Sequence, residues 1–147
     1  MRKLQLALVL LLVGLFMIGT VTAADQVSNT LVTKLTGAAE VPGPGDPDGV
    51  GLAIITLDRR NDAVCFKISV NKIRLPAAAA HIHAGKAGVA GPVVVPLTPP
   101  DASGYSEGCV PTEEKLIRAI ARSPQDYYVN VHNAPFPGGA VRGQLSR

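Results

Sequence analysis

The stretch Val50-Gly51-Leu52-Ala53-Ile54-Ile55-Thr56-Leu57-Asp58, followed by Arg59-Arg60-Asn61-Asp62 and then Ala63-Val64-Cys65-Phe66-Lys67-Ile68-Ser69-Val70, decides the fold class. In an extended chain alternate side chains share a face. Val64, Phe66, Ile68 and Val70 therefore line one side of a strand, the period-two signature. Two apolar runs joined by a short polar turn predict a β-hairpin over residues 50–70.

The same pattern extends outward in both directions. Leu31–Ala39 reads as a strand before the hairpin, and Ala80–Ala84, Val93–Leu97, Asp126–His132 and Gly139–Leu145 read as strands after it. Residues 40–49, 85–92, 99–104 and 133–138 are rich in Gly, Pro, Asp and Asn and read as loops. The Gly-rich segment 85–92 has no Gly-Lys-Ser/Thr ending and no helix after it, so it is a turn and not a phosphate cradle. Ala77-Ala78-Ala79-Ala80 admits a helix on propensity and an extended form from its setting. One helix is expected from about Glu113 to Arg122, with Thr112 as N-cap and Leu116, Ile117 and Ile120 as its apolar stripe. Ser123-Pro124 ends it. Short strands between Gly/Pro turns predict an all-β, antiparallel, Greek-key-like β-sandwich with one short helix.

Residues 1–23 carry a different signal. Arg2 and Lys3 precede an apolar run from Leu6 to Ile18, and Val21-Thr22-Ala23 supplies small residues at cleavage spacing. This reads as a secretory signal peptide cut near Ala23-Ala24. The run is short for a membrane span, so the chain meets a membrane only if the segment stays uncleaved. The expected location is secreted, periplasmic or cell-surface. Residues 24–147 then form a single domain, large enough for a real core. Of the 14 Lys and Arg residues two leave with the leader, so the remainder is nearly neutral against 11 acids. No basic run or stripe is present, which argues against nucleic-acid binding. Cys65 and Cys109 are the only cysteines. An even pair in an exported chain predicts a disulfide.

All three histidines lie in two of the strand segments. His81 and His83 share a face, as do Tyr128, Asn130 and His132. If the two strands approach, three imidazoles converge. His-x-His plus a distant third His is one way to hold Zn or Cu. The other reading is a hydrogen-bonded polar cluster that ties loops to the sheet. From sequence the second is favoured, because no carboxylate or other outer partner for the rings is visible. Arg142 sits inside a strand pattern beside Gly143, and such an Arg usually wants a carboxylate. Glu40, at the end of the first strand, is the expected ion-pair partner. No nucleophile lies beside a base, so no catalytic residues are expected.

These residues carry a family resemblance. Leu35-Thr36-Gly37-Ala38-Ala39-Glu40-Val41-Pro42, Gly51, His81-Ile82-His83-x-Gly85-x-x-Gly88-x-x-Gly91-Pro92-Val93, Tyr128-Val129-Asn130-Val131-His132 and Pro137-x-Gly139-x-x-Arg142-Gly143-Gln144-Leu145 together resemble the CHRD domain, the module named after chordin. The resemblance covers roughly Leu31 to Leu145 and implies an antiparallel β-sandwich with no established enzymatic activity. Cu/Zn superoxide dismutase is a weaker likeness, and its two-metal site needs more histidines than the three present. The expectation is thus an exported, non-enzymatic CHRD module that binds an unknown extracellular or cell-envelope ligand or serves structurally. Glu40, Tyr128, Asn130, Arg142 and Gln144 would form its structural or binding network, with no required cofactor. The alternative is a Cu- or Zn-binding or redox-related protein using His81, His83 and His132.

Overall fold

The computed structural model describes residues 29–147, so the leader and its cleavage point lie outside the described residues. Eight strands and one α-helix follow in chain order: β1 (Thr30–Thr36), β2 (Val50–Asp58), β3 (Ala63–Asn71), β4 (Ala79–Ala84), β5 (Val93–Leu97), β6 (Tyr105–Pro111), α1 (Glu114–Arg122), β7 (Tyr127–His132) and β8 (Val141–Gln144). The hairpin predicted over residues 50–70 is present as β2–β3, paired in register from Val50↔Asn71 to Asp58↔Ala63.

The strands form one sheet in the order β5-β4-β7-β8-β1-β2-β3-β6, and every pair is antiparallel. Its two four-stranded halves meet at a narrow seam, where Thr36 of β1 pairs with Arg142 of β8. The halves fold over each other and the edge strands β5 and β6 come into contact, giving a sandwich that is nearly a closed barrel. Between them lie Leu31, Leu35, Ile55, Leu57, Ile68, Ile82, Val129, Val131, Val141 and Leu145, all at most 1% exposed. Ile117 and Ile120 of α1 join this core. Burying such side chains contributes about 1.5–3 kcal/mol each, the main force holding the halves together.

Three local expectations are corrected. Residues 37–39 form a 3-10 turn instead of extending β1, because the backbone of Gly37 packs against Asp46. Strand β6 was not expected over residues 105–111. No strand hydrogen-bonds to its outer edge and its Gly108 and Pro111 break the period-two pattern, but pairing with β3 makes it a strand. Thr112 does not cap α1: Glu113 occupies the cap position, and the Thr112 hydroxyl donates to Val110 O at 2.9 Å. The alanine run resolves as extended chain leading into β4. Cys65 and Cys109 stand directly opposite across β3–β6 and are joined by a disulfide.

Candidate metal centre

Strands β4, β7 and β8 lie side by side, and alternation divides their residues cleanly. Ile82, Val129, Val131 and Val141 face the core. His81, His83, Tyr128, Asn130, His132, Arg142 and Gln144 occupy the opposite face. Register places His81 opposite Asn130, His83 opposite Tyr128, Asn130 opposite Arg142 and Tyr128 opposite Gln144. The two distant segments singled out in the sequence thus meet on one patch of sheet.

The three imidazoles converge. One nitrogen from each of His81, His83 and His132 lies within 4.8 Å of the other two. His81 Nδ1 is 3.2 Å from His132 Nε2. The rings stand edge to face, with centroids 5.4 Å apart for His81–His83 and 5.1 Å for His81–His132. A register shift in the β4–β5 pairing between Ile82 and His83 marks a bulge beside the cluster. His83 is only 9% exposed.

Outer contacts fix two of the rings. His83 Nδ1 is 2.8 Å from Gly91 O, and His132 Nδ1 is 3.0 Å from Pro137 O. A carbonyl only accepts, so both Nδ1 atoms carry the ring proton and donate. Each ring then presents an Nε2 lone pair. His83 Nε2 is buried and has no hydrogen-bond partner. Burial, first of all, and then the proximity of His132 and His83 hold the His81 pKa below its ordinary value. Burial also lowers that of His132. His81 and His132 therefore favour the neutral ring, the form that ligates a metal.

Beside the histidines lies a second device. His83 stacks on Tyr128 with centroids 4.7 Å apart and planes 9° from parallel. Arg142 Cζ lies 3.3 Å from the Tyr128 ring centre. Arg142 Nη2 donates to Lys86 O and Val89 O, each at 3.0 Å. Gln144 Nε2 donates to Gly85 O at 2.7 Å, and the Gly91 amide donates to the Tyr128 hydroxyl at 3.2 Å. The Gly-rich loop is thus a strap whose inward carbonyls are held by side chains of β4 and β8 and whose Gly91 amide is held by Tyr128 of β7. It lies so close that a Cβ on Gly91 would overlap Ala84 O.

The expected Glu40–Arg142 ion pair is not formed. Among the described residues the ion pairs are Lys67–Glu107 and Arg118–Glu114. The loop carbonyls take the Arg142 guanidinium instead, while Glu40 packs against Gly139, whose φ of +142° and missing Cβ make room for the carboxyl. The two charges still attract at longer range. Burial outweighs that attraction and raises the Glu40 pKa to about 7. Sequence reasoning missed the outer partners of the histidines, because they are backbone carbonyls of Gly91 and Pro137 and every residue has one. The turn-rich composition of both loops was the only available signal.

No curated protein and no solved structure matches this chain. A family model does match residues 31–145, nearly all of the described residues, and by that match the chain belongs to the CHRD domain family.

Proposed function

We propose that this CHRD module works outside the cytoplasm and binds one zinc or copper ion through His81, His83 and His132, without catalysing a reaction. The observation that carries the reading is the buried, unpartnered His83 Nε2, turned toward two other imidazoles by the bond from Nδ1 to Gly91 O. A buried polar atom without a partner costs roughly 1–3 kcal/mol. A cation among the three nitrogens would relieve that cost. The donor set suits the metal: neutral imidazole is a good ligand for Zn and Cu. With Zn–N near 2.0–2.1 Å, tetrahedral nitrogens lie roughly 3.3 Å apart. His81 Nδ1 and His132 Nε2 are already at 3.2 Å. Carbonyls on the far ring nitrogens are the usual outer support of such ligands. That support was the feature absent from the sequence, and it reverses the preference for a purely structural cluster. Export rests on the residues of the leader segment.

A second reading keeps the histidines as a strap anchor only, and the bonds His83–Gly91 O and Gly91–Tyr128 favour it. It leaves His83 Nε2 unexplained. Elemental analysis after equilibration with Zn or Cu and desalting separates the two. One ion per chain, lost in His132→Ala, supports the metal reading. A metal-free protein whose melting is unchanged by Zn and Cu removes it, since binding to the folded state alone must raise the melting temperature.

A further inference from the structure

We infer that Asn130 is the positioning residue for His81: its carboxamide oxygen accepts the ring Nε2–H once a metal is bound, which leaves Nδ1 as the ligating nitrogen. The inference rests on the metal reading above and names a residue that the ligand set does not contain.

A neutral imidazole has one N–H and one lone pair. His83 and His132 direct their N–H groups outward from Nδ1, so both present Nε2. His81 is different, because the nitrogen nearest the other rings is Nδ1. For that atom to ligate, its proton must sit on Nε2, and an N–H held beside the sheet there is fixed by an acceptor. Asn130 stands directly opposite His81 in the β4–β7 register and is 3% exposed. Its Oδ1 is buried and unpartnered. On its other flank Asn130 faces Arg142, whose Nη2 is turned to the loop carbonyls and whose buried Nη1, like Asn130 Oδ1, makes no hydrogen bond.

The metal-free geometry explains why the acceptor is idle. Without a cation, two lone pairs cannot face each other at 3.2 Å, so His81 Nδ1–H donates to His132 Nε2. Metal entry removes that bond. The ring exchanges its proton through solvent from Nδ1 to Nε2, with no net proton released, and the Asn130 oxygen receives it. All three ligands then have an oxygen acceptor behind them: Gly91 O, Pro137 O and Asn130 Oδ1. The ligand set is mixed, one Nδ1 and two Nε2.

The test uses the purified protein with Zn²⁺ as the probe. Asn130→Leu should bind Zn about 10- to 100-fold more weakly than the parent, the usual loss for an outer-shell partner. Asn130→Asp keeps an acceptor and should restore the affinity. Ring ¹⁵N NMR of the Zn-loaded parent should show the His81 proton on Nε2, with those of His83 and His132 on Nδ1. That measurement stands even if Asn130→Leu does not fold. Parent-like Zn affinity in a folded Asn130→Leu, or a His81 proton on Nδ1 in the Zn-loaded parent, overturns the role of Asn130 and leaves the three-histidine site intact. A folded parent that takes up no Zn or Cu overturns the site and the Asn130 inference with it.

Discussion

The Arg142 guanidinium carbon lies 3.3 Å from the centre of the Tyr128 ring, and its Nη2 group reaches two carbonyls of the 85–91 loop. A cation only 2% exposed is thus held without a contact carboxylate. Cation–π attraction and charge-assisted hydrogen bonds take the place of the ion pair. The geometry uses the planar fork of Arg, which stacks with its face and donates with its edge.

Arg142→Leu should therefore cost about 2–4 kcal/mol in urea unfolding, because it leaves Lys86 O and Val89 O without their donor and loosens the strap. Arg142→Lys should recover only part of this, since an ammonium cannot stack and bridge two carbonyls at once. The double-mutant coupling between Glu40→Gln and Arg142→Leu should stay below about 1 kcal/mol, as for charges not in contact. Parent-like stability in Arg142→Leu would show that the strap does not depend on the guanidinium.

Glu40 sets a pH dependence of unusual sign. Its folded pKa, about 7, lies above the ordinary value of 4.5, so the folded state holds a proton that the unfolded chain has lost. Between those limits stability falls as pH rises. The half-buried His81 and His132 act oppositely. Their pKa values are lowered below 6.5, so their contribution is complete above 6.5 and is lost as pH falls below it. Glu40→Gln should abolish the first limb and leave the second. At pH 8 it should exceed the parent by about 1–3 kcal/mol, with the range reduced for screening. Parallel pH–stability curves for the two proteins would contradict the burial of an ionisable carboxyl at Gly139.

The disulfide closes a loop across a sequence separation of 44 residues. Chain entropy assigns it about 4 kcal/mol. Cys65→Ser with Cys109→Ser should lower the urea midpoint accordingly while leaving the histidine cluster, on the other half of the sheet, unchanged by NMR. Loss of Zn binding in that folded variant would argue that the two halves are coupled.

Metal affinity itself should fall with acid, because protons and metal compete for the same lone pairs. The lowered pKa values of His81 and His132 place the onset below 6.5. Titration with Zn between pH 5 and 8 should show a plateau at the upper end and a progressive loss toward the acid end. An affinity that keeps rising through pH 8 would point to a group other than these imidazoles.

Period-two alternation in residues 50–70, turn residues at each loop and the pair of cysteines were enough to specify an antiparallel sheet with one short helix and a disulfide. They sufficed because burial of alternate side chains and the preferences of Gly and Pro are local properties, readable a few residues at a time. The motifs that mark the CHRD family also lie in single segments. Alternation further placed His81 with His83, and Tyr128 with Asn130 and His132, on shared faces. Whether those faces meet was not local. It depends on β7 lying between β4 and β8, a pairing made by residues some fifty positions apart. The fate of Arg142 was decided the same way. Its sequence setting called for a carboxylate, but folding brings the carbonyls of Lys86 and Val89 to it first. The outer partners of His83 and His132 are backbone oxygens, which carry no residue signature, so only the tertiary structure could supply them: main-chain groups acquire direction when the loops are fixed in space.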